Sequence, residues 1–371
     1  MIRPSNQGLE SRHGTRPQHG VVWPRASESG PIVLTSSFVG HDPNAVIGSH
    51  RPLCLPGVDF ACALSRRSAK RPLMNLHSLI DLIGPTPSRC SLNPIILDDV
   101  DCGSYVRQTV EYAVEESERV RSFILLPKNA TGLAPAILAH HQHAGQFDLG
   151  KSEVVGLAGD PDQAYGAELA ERGFVVIAPD AIAFEERNWS KIPGQAEYYE
   201  LASRLVRGQT LLGKVLHDVR VALDYLTTRH EVDKSRIGFL GHSYGGRMAI
   251  WATAVDERIK AAVSNCGCVN YRNSLTRDAG IQMAFCLPGV LNLGDVEDVL
   301  CLAAPRAVLI QAATDDKWSR GARDMFDCVR SVFPNGQLEI RLWPGGHKFS
   351  KEMRETAYAF LSRHLSEVKV I

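Results

Sequence analysis

The chain of 371 residues carries 41 basic and 41 acidic side chains, and 44% of it is apolar. That charge balance gives no electrostatic reason to bind nucleic acid or an anionic membrane surface. The apolar content suffices for a sizeable core, yet no apolar run reaches the roughly 20 residues of a spanning helix.

Residues 1–73 are rich in Arg, Pro, Ser, Gly and His and show no sustained helical or strand period. Such a segment buries too little apolar surface to offset its ordering entropy, so a disordered extension is expected, with Met74 opening the globular part. An arginine-rich, acid-poor leader is the alternative, while the charged-then-apolar pattern of a secretory signal is missing. The nine cysteines form no C-x-x-C pair, and several sit among apolar residues. They read as reduced thiols of a cytoplasmic protein.

From Met74 the pattern becomes globular. Residues 75–83 suggest a short helix stopped by Gly84-Pro85. Residues 109–114 and 121–126 suggest an antiparallel pair of strands, and 135–139 a short buried strand. A helix over 164–172 ends at Gly173, and a buried strand over 174–178 follows. Leu212, Val215, Val219, Leu223 and Leu226 recur at three- and four-residue steps, the mark of a helix with one apolar face. Strands are expected near 237–240, 261–264, 308–310 and 338–342, and helices over 320–332 and 352–365. Residues 266–299 are irregular and read as a loop or small cap. Continuous apolar strands alternating with helices predict one α/β domain over 74–371, a mostly parallel central sheet with helices on both faces.

The chemistry centres on Gly241-His242-Ser243-Tyr244-Gly245, a G-x-S-x-G turn between an apolar strand and a helix. A serine hydroxyl is a weak nucleophile unless it is exposed against a base, and a sharp strand-to-helix turn exposes it. An acid and a base follow in the required order. Asp315 is the first acid past the strand near 308–310 and is the preferred partner, with Asp316 the alternative. His347 follows Gly345-Gly346 after the next strand. His347 would take the Ser243 proton and return it to the leaving group, and the aspartate would orient the imidazole.

The oxyanion hole needs two donors. Tyr244 N–H is one, and the His143 N–H in the loop His140-His141-Gln142-His143-Ala144-Gly145 is the second. Gln142 and, from another strand end, Arg187 are candidates for binding substrate. The three loop histidines lack the companion spacing of a metal site, so neither metal nor cofactor is expected.

Gly241-His242-Ser243-Tyr244-Gly245-Gly246, the Asp315 region and Pro344-Gly345-Gly346-His347 resemble the α/β-hydrolase fold. More narrowly, the chain resembles the dienelactone-hydrolase-related group, which includes acetyl-xylan-esterase-like members. The supporting stretches are the 140–145 loop, residues 150–156, Asp180 with Glu186-Arg187, and Ala304-Pro305-Arg306. The resemblance covers about 105–366 and implies a serine esterase that cleaves a carboxylic ester of a small molecule through an acyl-enzyme. Dienelactone hydrolases proper carry cysteine where this chain has Ser243. Two other readings compete: a peptidase of the prolyl-oligopeptidase type, whose elbow often carries S-Y-G-G, and an inactive hydrolase fold serving as a binding module. The acyl and alcohol groups and the oligomeric state have no readable code in the sequence.

Overall fold

The computed structural model describes residues 74–366. The disordered extension expected over 1–73 lies outside the described residues. Nine strands form one mixed sheet: β1 (Ile95–Asp101), β2 (Tyr105–Glu115), β3 (Glu118–Pro127), β4 (Ala134–His140), β5 (Val175–Pro179), β6 (Val232–His242), β7 (Ile259–Asn265), β8 (Ala307–Ala313) and β9 (Leu338–Trp343). Their order is β1-β2-β3-β5-β4-β6-β7-β8-β9. The β1, β2, β3 and β5 pairings are antiparallel, and every pairing from β5 through β9 is parallel. This is the mostly parallel sheet expected from the sequence, with an antiparallel edge.

The period of two along the strands sorts the core into two layers. Ala136 and Leu138 of β4, Val175 and Ile177 of β5, and Val308 and Ile310 of β8 face one layer. There they meet the helices Leu211–Thr228 and Tyr244–Val255. Their neighbours Ile137, Ala139, Val176, Ala178 and Leu309 face the other, against Tyr165–Glu171 and Lys351–Leu365. Strands covered on both faces lose the polar–apolar alternation that marks a half-exposed sheet, which is why β5 reads as an unbroken apolar run and β8 as one interrupted only by Gln311.

Local signals place the helix ends. Asn75 and Ser78 form a reciprocal capping box at the first helix, Leu76–Ile83, and Gly84 ends it at φ 77°. Thr210 caps the long helix through Gly213 N–H. Two of the longer elements lie beyond the expected set. Edge strand β1 is exposed along nearly its whole length, and the helix Gln195–Leu205 leaves Tyr198 and Tyr199 in solvent. The irregular 266–299 stretch contains the short helices Tyr271–Ser274 and Val290–Leu293, and a further short helix, Val296–Cys301, begins within it. Among the described residues, no helix is long and apolar enough to cross a membrane.

The chain steps from β4 to β5 on one side and continues through β6 on the other. In parallel α/β sheets, the carboxyl ends flanking such a reversal frame the ligand crevice. Ser243 follows β6 at that point.

Candidate active site

Ser243 stands between β6 and the helix Tyr244–Val255 with φ 56° and ψ −112°. A side chain held at positive φ is strained, and the surroundings hold it there. Ser243 N–H donates to Asn265 O of β7 at 2.8 Å, and Arg247 N–H donates to Ser243 O at 3.0 Å. The glycines beside the serine supply space. A Cβ on Gly245 would lie 2.0 Å from His140 O, one on Gly241 2.3 Å from Gly245 C, and one on Gly246 2.6 Å from Asn265 O. None of the three needs left-handed backbone. The elbow is thus wedged between β4 and β7 at closer range than any side chain allows.

His347 Nδ1 lies 3.0 Å from Asp316 Oδ2. This corrects the preference for Asp315 as the acid facing His347. Past Ala313 the chain leaves the strand and pairs with the histidine loop: Thr314 N–H donates to Trp343 O and Asp315 N–H to Gly345 O, both at 2.9 Å. Those bonds use the Asp315 backbone and leave its side chain exposed. The following turn carries Asp316 inward, where its carboxylate caps the short turn Lys317–Ser319. Oδ1 accepts from Trp318 N–H at 2.9 Å, and Oδ2 accepts from Ser319 Oγ at 2.6 Å as well as facing His347. Burial opposes charge on Asp316, but the His347 ring and the Ser319 and Trp318 donors outweigh it and hold the carboxyl below its ordinary range.

Residues without a motif hold the histidine loop. Asn265 Nδ2 donates to His242 Nδ1 at 2.7 Å and to Lys348 O at 3.1 Å. The Cys266 thiol also points at Lys348 O. Burial, with His347 next door, pushes His242 down to about 3. Accepting at Nδ1, it is a neutral ring 4.7 Å from the His347 ring centroid. Burial also raises the Cys266 thiol to about 12, so it stays protonated.

The donors expected for an oxyanion hole are uncommitted. Among the described residues, neither Tyr244 N–H nor His143 N–H makes a hydrogen bond. Tyr244 opens its helix, where N–H groups have no intrahelical acceptor and carry the positive end of the helix dipole. The loop histidines hold the backbone. His141 accepts from Ala181 N–H at Nε2 (3.0 Å) and so donates from Nδ1 to Gln142 O (2.7 Å). Tyr165 OH donates to His140 O at 2.6 Å. Burial lowers His140 to about 3 and His141 to about 4, so both are neutral. His143 Nε2 lies 3.0 Å from the buried carboxylate of Glu197. No sequence signal marks Glu197, which sits on the unanticipated helix Gln195–Leu205.

The two residues expected to bind substrate both have partners within the protein. The Arg187 guanidinium is taken by Glu118 (2.6 Å), Asp218 (2.8 Å) and Asp180 O (2.8 Å). It ties the start of β3 and the helix Leu211–Thr228 to the loop after β5. Gln142 Nε2 donates to Glu153 at 3.0 Å and braces the loop beside His143. Nearby, Lys151 Nζ sits among Asp180, Glu185 and Glu186 and fills that acidic cluster with its own charge.

The sheet order, the strained serine at the central strand end, and the His347–Asp316 pair on the same rim define an α/β-hydrolase. The model of the dienelactone hydrolase family matches residues 151–360, and the chain belongs to that family. It is accordingly a carboxylic ester hydrolase of the esterase type. It is 27% identical to the protein YtaP of Bacillus subtilis (strain 168) over 309 residues, 77% of this chain and 97% of that one. Among solved structures, a glucuronoyl esterase from Solibacter usitatus superposes with a TM-score of 0.55 at 18% identity, covering 76% of this chain and 88% of that one. Acetyl xylan esterase 1 from Thermoanaerobacterium sp. JW/SL YS485 does so with a TM-score of 0.55 at 15% identity, covering 79% and 99%. At these identities the two structures attest the shared fold.

Proposed function

We propose that the protein is a serine esterase that cleaves a carboxylic ester of a small molecule through an acyl-enzyme, with Ser243, His347 and Asp316 as its triad. The observation that carries this reading is the 3.0 Å pairing of His347 Nδ1 with Asp316 on the rim where Ser243 is held at positive φ. In the first step Ser243 Oγ attacks the ester carbonyl as His347 Nε2 takes its proton. The charge developing on the carbonyl oxygen falls to Tyr244 N–H and His143 N–H, each contributing on the order of a hundredfold or more in rate. Asp316 holds the Nδ1–H tautomer and stabilises the imidazolium. The imidazolium then protonates the departing alcohol, and a water repeats the sequence to release the acid. The names of the two structural neighbours, a glucuronoyl esterase and an acetyl xylan esterase, support an ester carried on a carbohydrate as the substrate to try first.

Purified protein is expected to hydrolyse p-nitrophenyl acetate and acetylated sugars, and to be labelled by a fluorophosphonate at Ser243. Ser243→Ala should lose both activities. A folded sample that shows neither turnover nor labelling refutes the reading. Labelling with turnover of peptide amides but not esters would replace it with a peptidase.

A further inference from the structure

Three strand ends bring together the ligand set of a soft metal ion. Cys266 is the first residue past β7, and Asp316 and His347 follow shortly after β8 and β9. These strands are parallel neighbours, so their carboxyl ends share the rim on which Ser243 stands. Cys266 is fully buried and held at φ 50°, a strained value for a residue with a side chain. Its N–H donates to Gln311 O of β8 at 2.8 Å, and its thiol faces Lys348 O, beside His347, at 3.6 Å. The Cys266 sulfur, a carboxylate oxygen of Asp316 and a ring nitrogen of His347 all lie within 4.8 Å of one another.

Among the described residues, one other group of ligating atoms is as close, that of Asp180, Glu185 and Glu186. Lys151 Nζ already lies among those carboxylates. Around Cys266 the partners are proton donors instead: Asp316 Oδ2 faces His347 Nδ1 at 3.0 Å and accepts from Ser319 Oγ at 2.6 Å. Donor type and spacing suit a thiophilic ion. Zinc bonds of about 2.0–2.3 Å set tetrahedral ligand atoms roughly 3.3–3.6 Å apart, so the trio closes on an ion by movements of about 1 Å. A thiolate with an imidazole favours zinc over magnesium or calcium, which take oxygen ligands. His347 is exposed and gives the ion its way in.

We propose that Cys266, Asp316 and His347 form an inhibitory site for a thiophilic divalent cation such as zinc. The binding stands on the geometry alone; the inhibition rests on the esterase reading above. The ion takes the Cys266 sulfur, Asp316 Oδ2 and the Nδ1 lone pair of His347, and one proton, that of the thiol, leaves to solvent. The ring proton of His347 then resides on Nε2, which no longer accepts from Ser243. Asp316, bonded to the ion, no longer orients the ring toward the serine. One cation thus disables acid and base together and leaves Ser243 and the oxyanion donors in place.

The test uses the full-length protein with zinc chloride and cobalt chloride. Zinc should stop p-nitrophenyl acetate hydrolysis and EDTA should restore it, while magnesium or calcium at about a hundredfold higher concentration should leave the rate unchanged. Losing a ligand costs at least the roughly ten- to hundredfold in affinity that an outer-shell partner is worth. Cys266→Ser should therefore raise the half-inhibiting zinc concentration by about tenfold or more, each protein referred to its own metal-free rate. Stoichiometric cobalt should give the wild type a thiolate-to-metal absorption band that Cys266→Ser and His347→Ala both lack. The proposal is overturned by an active enzyme that zinc does not inhibit, by inhibition unshifted in Cys266→Ser, or by a cobalt–thiolate band that is absent from the wild type or survives in His347→Ala. If Cys266→Ser does not fold, His347→Ala decides in the cobalt arm, because the side chain it removes is exposed. A cobalt band that behaves as expected in a protein that turns over no ester and takes no fluorophosphonate refutes the esterase reading and leaves the metal site standing.

Discussion

Replacing Asp316 by Asn tests the site at the point where sequence and structure part. The aspartate accepts three hydrogen bonds, from Trp318 N–H at Oδ1 and from Ser319 Oγ and His347 Nδ1 at Oδ2. An amide has one acceptor oxygen. If that oxygen keeps Trp318, the new NH2 faces His347, whose Nδ1 must become an acceptor. The ring proton then moves to Nε2, and the imidazole can no longer take a proton from Ser243. If the oxygen turns to His347 instead, two donors face each other at Trp318, at a cost of about 1–3 kcal/mol. Either way a bond is lost, and in the first arrangement the base is disabled. A wrong tautomer in a triad of this kind costs roughly 10³- to 10⁴-fold in kcat, about 4–5.5 kcal/mol of transition-state stabilisation. Asp315→Asn is the control, because Asp315 gives the loop only its backbone N–H, at 2.9 Å from Gly345 O. Its kcat should change by less than about threefold, in line with the small effects of exposed substitutions. The assay is p-nitrophenyl acetate kinetics with thermal melts of both variants. A large loss at Asp315→Asn with a small one at Asp316→Asn would refute the reasoning.

Three further outcomes follow from the packing around the site. Gly245→Ala would set a Cβ 2.0 Å from the backbone O of His140 and should cost more than about 3 kcal/mol in urea unfolding; a wild-type urea midpoint would contradict the wedge. Lys151→Met would strand Asp180, Glu185 and Glu186 without their cation, at about 3–5 kcal/mol at pH 7.5 and less at pH 5.5. A loss below about 1 kcal/mol at pH 7.5 would deny Lys151 its anchoring role. Burial lowers His140 and His242 to about 3 and His141 to about 4. Below about pH 6.5 the unfolded chain therefore binds protons that the fold refuses, and stability falls as pH drops toward 4. Each ring should cost about 1.4 kcal/mol by pH 5.5, roughly 4 kcal/mol for the three, and denaturation midpoints that are flat from pH 7.5 to 5.5 would show that these rings are not held neutral.

The layered fold was legible because its core strands are buried on both faces. For that reason Val175–Pro179 reads as an apolar run and Ala307–Ala313 as one interrupted only by Gln311, and the stripe on Leu211–Thr228 reads as one helix face. The capping box at Asn75 and the stop at Gly84 are local chemistry and needed no partner. Edge strand β1 and the helix Gln195–Leu205 bury little, so no apolar period marked them.

At the site, the sequence alone determined the residue types and their order: a serine in a glycine-flanked strand-to-helix turn, then acid, then histidine. Those signals are local in the sequence: a glycine-flanked turn between an apolar strand and a helix, then an acid and a histidine each just past a later strand. Only the tertiary structure decided which acid faces His347. That choice depends on the pairing of residues 314–315 with 343–345, a contact between two loops. The same holds for Arg187, whose charge is consumed by Glu118 and Asp218 from distant elements. A side chain's role follows from what its polar atoms meet, and for these residues the deciding partners, His347 for Asp316 and Glu118 with Asp218 for Arg187, lie far away in the sequence.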